Sequence, residues 1–360
     1  MLRSLLGFAA LLAVLCTLLE STGRGQPAAT SDRVYYRDKK DGQIKEVDAE
    51  LKAAPGGYQI VAEKKIVATV SANDLVRVIP ADIPGYDLKT IREPANLEGK
   101  KEWEKARLIH TEMAKKSTAA PEKVRKYLEF RIAITSARAA DEVPDESAAQ
   151  AKADEAVKLL DNFLTGNKTG WEVWAAGTAC ARLQASGSDA KFADAARTWG
   201  KVAKAADLAP DLKLEATLQE IDTKIRARQL ADAKGLIDEA IKTAPAGAPK
   251  DRLAIFQLAQ KHGDDPNPDA GVKAIEAEIA KTKDPIVRAT GYSMIGELYL
   301  AKDKPRDAMW QFLWVEVVYN QDRDEMLKAL VRLGESFRQQ GDDDRAKAYR
   351  DKVRRFRGSL

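Results

Sequence analysis

The pattern of apolar and polar positions changes character once along the chain. Between about residues 32 and 80, short β-prone runs alternate with turn signals such as Asp41-Gly42. The alternation slips between Ile44 and Val47, which predicts a β-bulge. About five short strands in so few residues predict a small closed barrel or a strongly bent sheet.

Further along, apolar residues recur at spacings of three and four, which is the period of an amphipathic helix. Segments of about 14–20 residues alternate with breakers such as Pro144, Pro210 and Pro285. The spacing predicts roughly a dozen helices, paired as hairpins.

Residues 81–97 are predicted to form a linker between these two regions. Pro84 and Pro94 interrupt any regular element there. We therefore expect helix to begin near Leu97 or Glu98.

The most regular helical unit lies at residues 289–322, where small and aromatic residues follow a fixed spacing. Its key positions are Ile295, Gly296, Tyr299, Ala308 and Phe312. The next unit repeats much of this spacing with Leu333, Gly334, Phe337 and Ala346. These positions resemble the consensus of the tetratricopeptide repeat (TPR), a helix–turn–helix unit that buries its apolar face against neighbouring repeats.

The resemblance implies a mostly α fold, an α-solenoid of TPR-like helical hairpins over residues 98–357. A small five-stranded β domain at 32–80 precedes it, and the order of its strands and turns resembles an SH3-like or Sm-like barrel. A TPR-like solenoid further implies a scaffold that binds other proteins through its concave surface.

One version of the TPR domain grips a peptide carboxylate with Lys, Asn and Arg side chains. Lys328 and Arg332 stand at suitable positions, which makes them candidate partner-binding residues by resemblance. Glu335 stands where this clamp needs Asn, so a clamp for chaperone tails is not expected.

Met309–Tyr319 is apolar on nearly every side of a helix. Trp310 and Trp314 lie one turn apart, away from the repeat core, and Val317 and Val318 extend the same side. Neighbouring repeats could cover this side. Alternatively it is an interface with the β domain, a second copy or an external partner, which makes both tryptophans candidate partner-binding residues.

The chain offers few residues for catalysis. Its two histidines, His110 and His262, are interpreted as solvated or capping groups. No P-loop, GxGxxG, nucleophile elbow or CxxC spacing is present. The acidic loop 263–269 lacks the spacing of an EF-hand calcium site, and its Asp269 is expected to cap the next helix. We expect no catalytic residue, no cofactor and no metal.

Composition excludes one class of partner. The chain has 59 basic and 55 acidic residues, and the resulting net charge of +4 is spread along the sequence. Such a balance indicates no nucleic-acid partner.

The N-terminus is typical of an export signal. Arg3 precedes the uncharged apolar run Leu5–Leu19. We predict a signal peptide at 1–25 and a mature start between Gln26 and Ser31, with a retained membrane anchor as the alternative. Cleavage would leave no transmembrane segment.

Cys180 would be the one cysteine of the mature chain and is expected to be a small buried apolar residue.

These observations favour a non-catalytic protein–protein interaction scaffold exported to the periplasm, the cell envelope or the medium. Two alternatives stay open. One is a structural envelope component whose β domain binds peptidoglycan or another surface polymer. The other is an enzyme whose acidic residues converge in a deep pocket.

Overall fold

A computed structural model describes residues 31–54, 56–187 and 190–359. Within them, a five-stranded antiparallel sheet is followed by fourteen α-helices, which confirms the predicted fold class. The signal peptide predicted at 1–25 lies outside the described residues. No helix in the described part of the chain is long and apolar enough to cross a membrane.

The sheet has the strand order β4-β3-β2-β1-β5. The first half of β2 pairs with β1 and its second half with β3, so this strand is shared by both halves of the sheet. The order leaves β4 and β5 as edges. Among the described residues the sheet is therefore not closed by strand pairing, and its likeness to an SH3-like or Sm-like barrel stays a prediction. The strands are β1 Asp32–Arg37, β2 Ile44–Ala54, β3 Gly57–Ala62, β4 Lys65–Val70 and β5 Leu75–Ile79.

The bulge predicted between Ile44 and Val47 is wrong. Both residues pair with β1 in an unbroken register, and Ile44 breaks the apolar alternation only because it is exposed at the start of β2. The register shifts instead between Tyr35 and Tyr36, and between Ile60 and Val61.

The helices follow one another with short connections, and most are arranged in antiparallel hairpins such as α3/α4, α5/α6, α11/α12 and α13/α14. Their bounds are α1 Leu88–Gly99, α2 Trp103–Lys116, α3 Glu122–Asp141, α4 Glu146–Gly166, α5 Glu172–Ala185, α6 Phe192–Ala203, α7 Pro210–Arg226, α8 Leu230–Thr243, α9 Ala248–His262, α10 Asp269–Lys281, α11 Pro285–Leu300, α12 Pro305–Val317, α13 Arg323–Gln339 and α14 Asp343–Gly358.

Helix begins earlier than the sequence predicted, because α1 occupies most of the predicted linker 81–97. Asp87 caps α1 by accepting a hydrogen bond from the Thr90 amide at 2.8 Å. Pro94 lies inside the helix and removes one backbone hydrogen bond, which costs stability. The helix continues through it because Ile91 is buried among α2 and α3, where it offsets that cost.

The unit that predicted the repeat is closely packed. A Cβ atom added to Gly296 of α11 would lie 2.5 Å from Phe312 Cζ of α12, so the two helices approach too closely there for any side chain. Ala308, Phe312, Leu333 and Ala346 are all buried in one cluster that spans α11–α14. Tyr299 packs at the edge of this cluster, whereas Ile295 belongs to the neighbouring one.

The last hairpin packs back onto the first helices of the array. Arg357 of α14 donates through Nε to Asp141 of α3 at 2.6 Å, and through Nη1 to the Ser186 hydroxyl at 2.8 Å. Arg182 of α5 donates to Asp324 of α13 at 2.7 Å. Side-chain hydrogen bonds therefore join the last hairpin to α3 and α5, and the array closes on itself from α3 to α14.

Candidate functional site

Helix α12 has two apolar sides, and only one of them is buried. Ala308, Phe312 and Val315 face the core and are inaccessible to solvent. On the other side Trp310 is 56% exposed and Trp314 is 47% exposed. Val317 and Val318 are also exposed. We call Trp310, Trp314, Val317 and Val318 the α12 aromatic face.

Neighbouring rings hold part of this face in place. Tyr292 of α11 stacks on Trp314, with ring centroids 5.7 Å apart, and on Tyr319 at 5.3 Å. Arg288 donates to the Tyr319 hydroxyl at 3.1 Å, and its guanidinium lies 5.8 Å from that ring centroid. Because Trp314 and Tyr319 are already ordered by these contacts, a partner would spend little conformational entropy in fixing them.

The sequence left open whether neighbouring repeats cover this side of the helix. Among the described residues they do not cover Trp310 and Trp314, since about half of each side chain stays accessible. Contiguous exposed apolar surface of this kind commonly marks a contact site.

The structure places the other two candidate residues, Lys328 and Arg332, inside the fold. Lys328 donates to Gln219 and Glu325, at 2.9 Å each, and also to Asp222. Arg332 holds Glu297 through two hydrogen bonds, at 2.8 and 2.6 Å. Both cations are buried and neutralised within the chain, so a partner's carboxylate would have to displace these contacts to reach them.

Those contacts belong to a larger buried ion network between α7, α11 and α13. At its centre Arg226 donates to Asp222, Glu297 and Glu325, at 3.1, 2.8 and 3.2 Å. Burial alone would raise the pKa of Asp222, but Arg226 and Lys328 hold it below its usual range.

The network changes the expectation for the concave surface. The polar residues of the first helices of the hairpins, which would line a peptide groove in an open solenoid, here bind one another. The partner site implied by the resemblance is therefore filled by the chain's own side chains at α7, α11 and α13.

A second buried ion cluster was not predicted from the sequence. The carboxylate of Glu98 at the end of α1 accepts hydrogen bonds from Arg77 of β5 and Arg131 of α3. It also lies 3.3 Å from His110 Nε2 of α2. Burial alone would raise the pKa of Glu98, but Arg131, His110 and Arg77 together lower it. The cluster joins the sheet to the first three helices.

The solvated or capping role predicted for His110 is therefore wrong. The ring is buried against Tyr127, with centroids 5.9 Å apart, and burial lowers the pKa of His110. The sequence did not reveal that His110 is buried, because charged residues surround it along α2. His262 instead lies at a helix end and contacts Asp265 at 2.6 Å.

The acidic loop makes contacts within the chain. Asp264 accepts from Arg228 at 2.7 Å, and the Asp269 amide donates to Asn267 at 3.0 Å. Asp269 is the first residue of α10, so its predicted capping role is wrong. No group of three metal-ligating side chains is found among residues 31–54, 56–187 and 190–359. Cys180 is buried, which raises the pKa of its thiol to about 12.

A cavity with a volume of about 560 Å³ lies between α4, α13 and α14. Three of its lining residues, Glu146, Asp351 and Glu335, each form an ion pair with a different arginine. The arginines are Arg350, Arg354 and Arg332, respectively.

Comparisons with known proteins identify no family for this chain. No family model matches it, and no curated protein matches it. A solved structure of a tetratricopeptide repeat protein from Parabacteroides merdae ATCC 43184 is similar over 74% of this chain and 92% of its own length. The two share 14% sequence identity with a TM-score of 0.45.

Proposed function

We propose that this protein is a non-catalytic interaction scaffold that binds a protein partner through the α12 aromatic face. The observation that carries the proposal is the exposure of Trp310 and Trp314 on a helix whose opposite side is fully buried. Tryptophan is enriched among the residues that dominate protein interfaces. The filled inner face of the array supports an outer binding surface.

Alanine substitution tests the proposal. Trp310→Ala and Trp314→Ala should each weaken partner binding by at least about 2 kcal/mol, since both remove a central aromatic anchor. Trp310→Ala should leave the free energy of unfolding within about 1 kcal/mol of the parent, because exposed substitutions change stability little. Trp314→Ala should lower it by up to about 1.5 kcal/mol, because it also removes the stacking contact with Tyr292. The measurements are thermal unfolding and the recovery of partners photo-crosslinked to position 311 of the full chain.

Leu108→Ala is the matched control, because Leu108 is an equally exposed apolar residue on α2. It should retain every crosslinked partner. If the tryptophans were internal packing, each alanine variant would lose about 3–5 kcal/mol of stability. Variants that keep both their stability and all their partners would disprove the role of this face.

The proposal includes export, for which the support is Arg3 followed by the apolar run Leu5–Leu19. N-terminal sequencing of the protein from fractionated cells should give a start between Gln26 and Ser31. An intact Met1 on protein from the cytosolic fraction would contradict export but would leave the α12 aromatic face unaffected.

A further inference from the structure

Strand β4 forms one edge of the sheet, and no described strand lies on its outer side. It pairs with β3 alone. No other described segment makes a backbone hydrogen bond with residues 65–70. In an antiparallel pair, alternate residues turn their N–H and C=O groups away from the neighbouring strand. An edge strand therefore keeps about half of its backbone groups available for another strand.

The side chains of β4 do not protect this edge. Ile66 is 58% exposed and Val67 is 50% exposed. Protected edges usually carry charges or proline along their length. The only charge on β4 is Lys65, its first residue, and the strand contains no proline.

Two local features present this edge to an incoming strand. Glu63 and Lys64 form a tight turn with positive φ angles of 49° and 65°, which ends the hairpin without a protruding loop. In the β3–β4 register no residue of β3 stands opposite Val67. The backbone groups of a bulged residue are left without partners in the ladder.

We propose that β4 pairs antiparallel with β4 of a second copy of this chain, around a twofold axis. An unpaired edge offers its free N–H and C=O groups to another strand, and two identical edges are self-complementary around such an axis. Pairing joins the two sheets into one sheet that runs through both copies. It also buries the exposed Ile66 and Val67 side chains.

The charge pattern of β4 is compatible with this occupant. In the register centred between Val67 and Ala68, Lys65 stands opposite Val70 of the second copy. The two lysines then lie at opposite ends of the interface, roughly 17 Å apart along the strands. That distance exceeds the screening length of about 8–10 Å at moderate salt, so the two charges repel each other little. Ile66 stands opposite Thr69 of the second copy, a pair that suits a pleated surface.

Sedimentation velocity on the full chain tests this proposal across low to high micromolar concentrations. We expect a monomer–dimer equilibrium. Ile66→Lys and Val67→Lys should each raise the dissociation constant at least about tenfold, because they place charges beside the twofold axis. Ile44→Lys is the matched control, since Ile44 is equally exposed but lies on the central strand β2. It should leave the constant unchanged, and so should Trp314→Ala.

Hydrogen exchange of the unmodified chain provides a second test that does not depend on any variant. The peptide that spans β4 should exchange more slowly at high protein concentration, whereas the peptide that spans β5 should not change. A chain that stays monomeric throughout would overturn the proposal, and so would a dimer unaffected by both lysine variants. A dimer lost only in Trp314→Ala would place self-association on the α12 aromatic face instead.

Discussion

Glu98 is the centre of a buried ion cluster that joins the sheet to the first three helices. Its buried carboxylate faces Arg77 and Arg131 on one side and His110 on the other. Two guanidinium groups already exceed one carboxylate in charge, so a proton on His110 would add a further buried positive charge. The buried ring therefore stays neutral in the folded protein, in agreement with its lowered pKa.

The lowered pKa of His110 predicts how stability depends on pH. The unfolded chain binds a proton at this residue near the ordinary value of about 6.5, whereas the folded chain does so only at lower pH. The contribution of neutral His110 to stability is complete above about pH 6.5. It is lost as the pH falls from about 6.5 towards the pKa of His110 in the folded protein. The expected slope is at most about 1.4 kcal/mol per pH unit.

Urea unfolding at several pH values measures this dependence. His110→Gln should flatten the slope below about pH 6.5 relative to the parent protein. Equal slopes for His110→Gln and the parent would contradict the assignment of the proton to His110.

Gly296 tests the packing of the repeat unit. Its Cα–H faces the Phe312 ring with no room for a side chain, so Gly296→Leu should overpack the α11/α12 contact. We expect a loss of about 1–3 kcal/mol in the free energy of unfolding.

Gly235 of α8 provides the matched control, because a Cβ atom added there meets nothing within 4 Å. Gly235→Ala should stabilise the protein by about 0.5–1 kcal/mol through helix propensity. An unchanged melting temperature in Gly296→Leu would contradict the close contact between α11 and α12.

At the scale of single residues, the sequence identified positions whose partners lie nearby in the chain. Gly296 and Phe312 are separated by one turn of a hairpin, and their spacing is part of the repeat pattern. Glu98 could not be identified in this way. Its partners Arg77 and Arg131 lie 21 and 33 residues away, on a strand and on another helix. No periodic pattern connects such positions.

At the scale of elements, α13 shows why a repeat pattern alone does not locate a binding surface. The resemblance placed Lys328 and Arg332 on the first helix of the last unit, where an open solenoid would expose them. In this fold that helix is covered by α7 and α11, and the charged ends of both side chains pair with buried carboxylates of these helices. Whether a helix face is open depends on the curvature of the whole array, which repeat spacing does not report.

Lys328→Met separates a buried structural role from a partner-binding role. The methionine keeps the apolar stem but removes the charge that neutralises Asp222 and Glu325. Breaking a buried pair in this way typically costs about 3–5 kcal/mol of stability. The measurement is urea unfolding, alongside the partner recovery described for the tryptophan variants.

Lys347→Met on the exposed side of α14 is the control and should change stability by at most about 0.5 kcal/mol. A Lys328→Met protein that melts with the parent but loses its partner would favour the clamp-like role suggested by the resemblance.

The elements themselves were largely predictable, with α1 as the main exception. Strand and helix regions follow from periods of two and of three to four in the apolar pattern. Pro94 concealed α1 because a proline usually interrupts a helix. The Asp87 cap and the burial of Ile91 offset its cost, and only the packing of α1 against α2 and α3 reveals that compensation.

At the scale of the whole molecule, the closure of the array was not predictable. Arg357 and Asp141 are 216 residues apart, and each is unremarkable within its own helix. Hairpin stacking predicts which neighbours touch, but the small rotation from each hairpin to the next accumulates along the array. The contact between the α3/α4 and α13/α14 hairpins results from the sum of these rotations.

Closure of the array predicts strong energetic coupling between α3 and α14. The Asp141–Arg357 pair is nearly inaccessible to solvent, with exposed side-chain fractions of 6% and 9%. A double-mutant cycle with Asp141→Asn and Arg357→Gln should give a coupling energy of about 1–3 kcal/mol, as expected for a buried pair in direct contact. Urea unfolding of the parent, both single variants and the double variant measures it.

The same junction contains its own control pair. Arg350 of α14 pairs with Glu146 of α4, with Nε and Oε1 2.8 Å apart, but both side chains are substantially exposed. Their cycle, with Glu146→Gln and Arg350→Gln, should give at most about 1 kcal/mol, because exposed ion pairs contribute little.

If the array were open in solution, both cycles would give coupling near zero, since neither pair would form. A large coupling for Asp141–Arg357 together with a small one for Glu146–Arg350 requires that α3 and α14 meet. In that case the inner face of the array is enclosed, which leaves the outer surfaces of the molecule for the proposed partner.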